Sequence, residues 1–78
     1  MEPFPELKNN EVVVVRCDSN TGHVLDDKFV LAISDDQKVF TVFETLEVAK
    51  SYIAKEKSRT ESIDFVIYRS ENIPIGDY

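Results

Sequence analysis

The chain has 78 residues, enough for one domain that buries roughly 60–65% of its unfolded surface, with little left over for a deep pocket. Nine Lys and Arg against fifteen Asp and Glu give a formal charge of −6, which repels phosphate backbones and argues against non-specific nucleic-acid binding. The single cysteine, Cys17, excludes an intramolecular disulfide and a cysteine-based zinc cluster, and no apolar run approaches the roughly 20 residues of a membrane span.

Met1 to Glu6 has neither a basic nor an apolar leader segment, so a cytoplasmic protein is expected. Residues 1–78 read as a single domain with extended arms at 1–10 and 70–78, the first carrying Phe4 and Leu7 among Pro3 and Pro5. Glu11 to Cys17 has the β-branched density of a strand. It runs into Asp18-Ser19-Asn20-Thr21-Gly22, the residues of a type I turn closed by a left-handed glycine. Strand two is expected from His23 to Ser34, with a bulge or break at Asp26-Asp27. Without that break the turn and the hydrophobic alternation disagree by one residue. Asp35-Asp36-Gln37 makes the next turn and Lys38 to Phe43 returns, so the first half is read as a three-stranded antiparallel meander.

Thr45 is placed to cap a helix from Leu46 to about Lys57, with Glu47 in the first turn where the helix dipole favours an acid. At about 100° per residue, Leu46, Val48, Ala49, Tyr52 and Ile53 share one arc, as in an amphipathic helix lying on a sheet. Ile63 to Arg69 is a fourth strand, reached by a crossover that makes it parallel to strand three. The fold class is therefore α+β, in the order βββαβ, with one helix on one face of one sheet.

Alternation assigns Ile63, Phe65 and Ile67, with Phe29, Leu31, Ile33, Phe40 and Val42, to the face under the helix. Strand one then adds Val13, Val15 and Cys17. The opposite face keeps a surplus of apolar residues, and Val12, Val14, Val30, Val39, Phe43, Val66 and Tyr68 form the candidate interface. A second copy, a partner protein or the two terminal arms are the alternatives for covering it.

Residues able to carry chemistry are sparse. His23 is the sole histidine, six residues beyond Cys17, and a nucleophile pair requires the two in contact. The face assignment buries Cys17 and leaves His23 on a turn. Zinc has only His23, Asp26 and Asp27 to draw on, and the Asp18–Gly22 stretch lacks the later ligands of a calcium loop. No phosphate-cradling glycine loop exists in a chain with two glycines. Catalytic, cofactor and metal residues are thus all read as none.

Val42 to Ile53, followed by Ile63 to Tyr68, resembles a pattern in small, mostly uncharacterised bacterial α+β proteins. These have a strand ending in Phe, an acid and a hydroxyl residue, a helix opening Leu-Glu-Glu-Ala, and a strand ending in Tyr. Val48 departs from the pattern where a second Glu completes a capping box. The resemblance implies the fold and no activity. The expected function is a small acidic, non-enzymatic interaction module. It self-associates as a homo-oligomer through the helix-free face or a sheet edge, and engages no nucleic acid, membrane or inferable small molecule. The alternatives are an inhibitor or adaptor docking on a basic protein, and a ligand binder or enzyme with its site at a dimer interface.

Overall fold

The computed structural model of the chain describes residues 3–71 and 73–78, so the arm residues Met1, Glu2 and Asn72 lie outside the described residues. Strands β1 (Val12–Asp18), β2 (Val24–Leu25) and β3 (Thr41–Phe43) precede helix α1 (Leu46–Lys57), and β4 (Ile63–Ser70) and β5 (Ile73–Asp77) come after it. The class is α+β, with a single antiparallel sheet and one helix among the described residues.

The strand order departs from a meander. β1 is the hub: it pairs β4 along one edge, from Val13↔Tyr68 to Asp18↔Ile63. Along its other edge it pairs β3 at its start (Val12↔Phe43) and β2 at its end (Cys17↔Val24). β5 extends the sheet beyond β4, with irregular register around Tyr68↔Pro74. β3 and β4 do run in the same direction, as the crossover reading requires, but β1 lies between them and every strand pair is antiparallel.

Several local expectations hold. Gly22 takes φ 76° in the turn after β1, and Asp18 Oδ1 accepts from the N–H of Asn20 at 2.8 Å. Thr45 Oγ1 accepts from the N–H of Val48 at 3.2 Å as the helix cap. Strand two breaks at Asp26-Asp27, ending at Leu25 instead of Ser34.

The face assignment of β1 is reversed. Val12 and Val14, with Phe65, Ile67, Ala49 and Ile53, form the core under α1, and Phe43, Leu46, Tyr52 and Ile63 pack against it. Val13, Val15 and Cys17 therefore face away from the helix. A run of four valines carries no polar–apolar alternation, and all four are buried because both faces are covered. Arg16 shares the helix face, since Tyr52 and Thr41 supply acceptors for its guanidinium. On α1, Val48 is exposed, whereas Ala49 and Ile53 are buried.

Candidate functional site

The fifteen residues 26–40 lie between β2 and β3, and two side chains organise them. Asp26 Oδ1 accepts from the N–H groups of Lys28 and Val30, both at 2.9 Å, and its Oδ2 accepts from Gln37 Nε2 at 2.8 Å. Gln37 Oε1 in turn accepts from Ile33 N at 2.7 Å and Ser34 N at 2.8 Å, while its Nε2 also donates to Leu31 O at 3.0 Å. A carboxylate that takes two nearby amides competes directly with a strand ladder for them, and here it turns the chain back on itself. Asp26 N donates to Val30 O at 2.8 Å, Ala32 N to Val24 O at 3.0 Å, and Leu25 bridges Leu31.

The consequence is a tethered ridge on the β2 side of the sheet. Val30 is 55% and Ile33 84% exposed, and Phe29 and Leu31 also reach solvent. Alternation alone puts Phe29, Leu31 and Ile33 under the helix; the reversal at Asp26 takes them out of the core. The N–H of Val30, the amide of Gln37 and the N–H of Lys28 hold the Asp26 carboxyl below its ordinary 3.8, against the opposing effect of burial.

Phe29 sits at φ 63°, a left-handed conformation unusual for an aromatic residue. Its ring lies over the guanidinium of Arg16 at 5.6 Å, and Tyr52 covers the same group at 5.6 Å. Arg16 is 2% exposed and donates from Nη2 to Thr41 Oγ1 at 2.7 Å and to Tyr52 Oη at 2.9 Å. Among the described residues its Nη1 has no hydrogen-bond partner, and no carboxylate pairs with it. Nothing in the valine-rich stretch signals a buried cation. The readable clue is Tyr52, an acceptor on the apolar arc of the helix.

The candidate interface residues are scattered. Val12, Val14 and Phe43 belong to the core beneath α1, and Val30 belongs to the exposed ridge. Val39, Val66 and Tyr68 do lie on the helix-free side, but the chain covers much of it: Phe4 of the N-terminal arm meets Phe40 edge-on at 5.3 Å and Tyr68 at 6.2 Å. Val13 and Val39 are buried there. A cavity of about 350 Å³ remains beneath Phe4, larger than so short a chain leads one to expect.

Cys17 pairs with Val24, and Asp18 N donates to His23 O at 2.8 Å, so continuing the register sends Cys17 and His23 to opposite faces. That geometry does not make a nucleophile–base pair. Among the described residues no three His, Cys, Asp or Glu side chains gather as metal ligands, and no helix is long and apolar enough to cross a membrane. Comparison with protein families, with curated proteins and with solved structures finds no match.

Proposed function

We propose that this protein is a small acidic, non-enzymatic interaction module, and that its contact surface is the ridge Phe29–Ile33. The observation that carries this reading is the way Asp26 and Gln37 fix the ridge backbone while Val30, Leu31 and Ile33 point outward. A loop ordered before contact loses less conformational entropy on binding, and apolar side chains on such a loop are the feature an interface uses. Contact is made by side chains rather than by strand addition, because Gln37 already engages the backbone of Leu31, Ile33 and Ser34.

The occupant we favour is a second copy, which buries the ridge of both protomers in one isologous contact. Light scattering coupled to gel filtration tests it. The expected result is a mass that rises from monomer toward dimer with concentration, and a strict monomer at high micromolar concentration would overturn self-association. A basic partner is the second reading, supported by Asp27 and Asp36, exposed on the same 26–40 segment, and by the net charge of −6. It calls for association that weakens steeply with salt, whereas an apolar self-contact responds little.

A further inference from the structure

Arg16 is buried with more hydrogen-bond donors than its neighbours match. A guanidinium offers five N–H donors and accepts nothing. Three are used: Nε and Nη2 donate to Tyr52 Oη at 3.1 and 2.9 Å, and Nη2 donates also to Thr41 Oγ1 at 2.7 Å. The two on Nη1 have no acceptor, in a side chain that is 2% exposed. The hydroxyls of Tyr52 and Thr41 accept from Arg16 and, among the described residues, donate to nothing, so both add donors to the same cluster. A buried cation ringed by spare donors is complementary to an anion, which forms charge-assisted bonds with all of them.

The cover over this group is a strained one. Phe29 lies over the guanidinium at 5.6 Å while its own backbone sits at φ 63°. Residues held in the left-handed region cluster at ligand clamps and switches, where the surroundings over-determine them. Here Asp26 does so, since Oδ1 accepts from the N–H groups on either side of Phe29, those of Lys28 and Val30. Phe29 also lines a groove of about 300 Å³ with Glu56, Arg59, Thr60 and Ile63. Moving its ring off Arg16 joins the cation to that groove. Arg59 is a poor rival anchor, because its side chain is 69% exposed and Glu56 lies 3.7 Å away. The Glu56 carboxylate and the overall charge of −6 weigh against a polyanion, and Ile63 suits an apolar body.

We propose that Arg16, Tyr52 and Thr41 form a site for a small monocarboxylate, and that Phe29 is its lid. The site does not depend on what Val30, Leu31 and Ile33 contact. The test is an NMR titration of the full chain with benzoate and, in parallel, with its neutral isostere benzamide. Benzoate is expected to bind saturably and roughly tenfold more tightly than benzamide, and to move the Arg16 Nε–H resonance. Arg16→Met should erase the preference for benzoate, whereas Arg69→Gln, which removes a cation from the groove beside Leu7, should keep it. Phe29→Gly accepts the positive φ without strain and removes the cover. It should bind acetate, which has no ring to stack, several-fold more tightly than the parent, whose site is open in only a fraction of molecules. Equal affinity for benzoate and benzamide would overturn the proposal, as would an Arg16 resonance that stays still at saturation, a reading available even if Arg16→Met fails to fold. A folded Arg16→Met that still prefers benzoate overturns it too, and a Phe29→Gly variant no tighter for acetate than the parent overturns the lid.

Discussion

The β1–β4 ladder and the segment 26–40 are built from comparable lengths of chain and are held by opposite means. In the ladder, six successive residue pairs from Val13↔Tyr68 to Asp18↔Ile63 commit backbone to backbone, and side chains are free to fill the core under α1. In the segment, the side chains of Asp26 and Gln37 hold the backbone, and the apolar side chains are left outside. A region whose order comes from burial is sensitive to lost volume; a region whose order comes from one carboxylate is sensitive to its charge. Each region should therefore yield to a different kind of substitution.

The largest effect is expected in the ladder. Phe65 is fully buried, packed with Ala49 and Ile53 and met edge-on by Tyr52 at 6.0 Å. Phe65→Ala should cost on the order of 3–5 kcal/mol, enough to unfold most of a domain this small. A thermal melt within a few degrees of the parent would remove the burial half of the comparison. Next comes the joint between the regions, where Arg16 of β1 is gripped by Tyr52 from the helix and Phe29 from the segment. Tyr52→Phe keeps the ring and removes the acceptor, leaving two more buried guanidinium donors unmatched, and should cost about 1–3 kcal/mol. Arg16→Met removes the buried charge together with its needs and should be near neutral or stabilising. Chemical denaturation of both variants checks the pair; an Arg16→Met loss as large as that of Tyr52→Phe would make the cation a net stabiliser.

The segment answers to pH. Because the folded Asp26 carboxyl titrates below its ordinary 3.8, its contribution is present above that value and is lost as pH falls through the lower, folded one. Amide exchange, expressed as protection factors, should show Lys28 and Val30 opening as acid protonates Asp26. Phe65 and Tyr78, whose backbones exchange bonds at 2.7 and 2.6 Å, stay protected over the same range. Asp26→Asn should open the segment at neutral pH and remove the acid dependence, since its amide nitrogen has no lone pair for Gln37 Nε2 or the Val30 N–H to use. Simultaneous opening of both regions would mean that the segment is no independent unit.

The same contrast explains what the sequence disclosed. Helix α1, its Thr45 cap, the β1 and β4 strands and the Gly22 turn are legible because local residues dictate them: β-branched density, a hydroxyl before an amphipathic run, a glycine where φ is positive. The break at Asp26-Asp27 is legible from a parity mismatch. The path of residues 28–33 is not, because the reversal depends on Asp26 meeting Gln37 eleven residues away, and an alternating Phe29-Val30-Leu31-Ala32-Ile33 looks like a strand whichever way the chain turns. The face of β1 is illegible for a related reason: Val12 to Val15 are alike on both sides, and the arm residue Phe4 that buries the second side is distant in sequence from the strand it covers, β4. The cavity depends on the same distant arm, so Glu71, Phe4 and Phe40 give no sign of sharing one space.

The smallest effect on stability, and the sharpest on association, is expected at the tip of the ridge. Ile33 is largely solvated, so Ile33→Lys should change folding stability by no more than about 0.5 kcal/mol. The neighbouring Gln37 bonds go to the Ile33 and Ser34 backbone, which the substitution leaves in place. If two ridges meet across a dimer, however, two lysines are brought together at its centre, and desolvating like charges removes the contact. Ile75 offers the matched control: it lies on the opposite edge of the sheet, in β5, where Pro74 interrupts the row of donors that strand pairing needs. Sedimentation of the parent, Ile33→Lys and Ile75→Lys at one high concentration decides between the edges. The ridge reading requires the Ile33 variant to be monomeric and the Ile75 variant to associate like the parent. The reverse result would transfer the interface to β5 and leave the tethered segment a purely structural device.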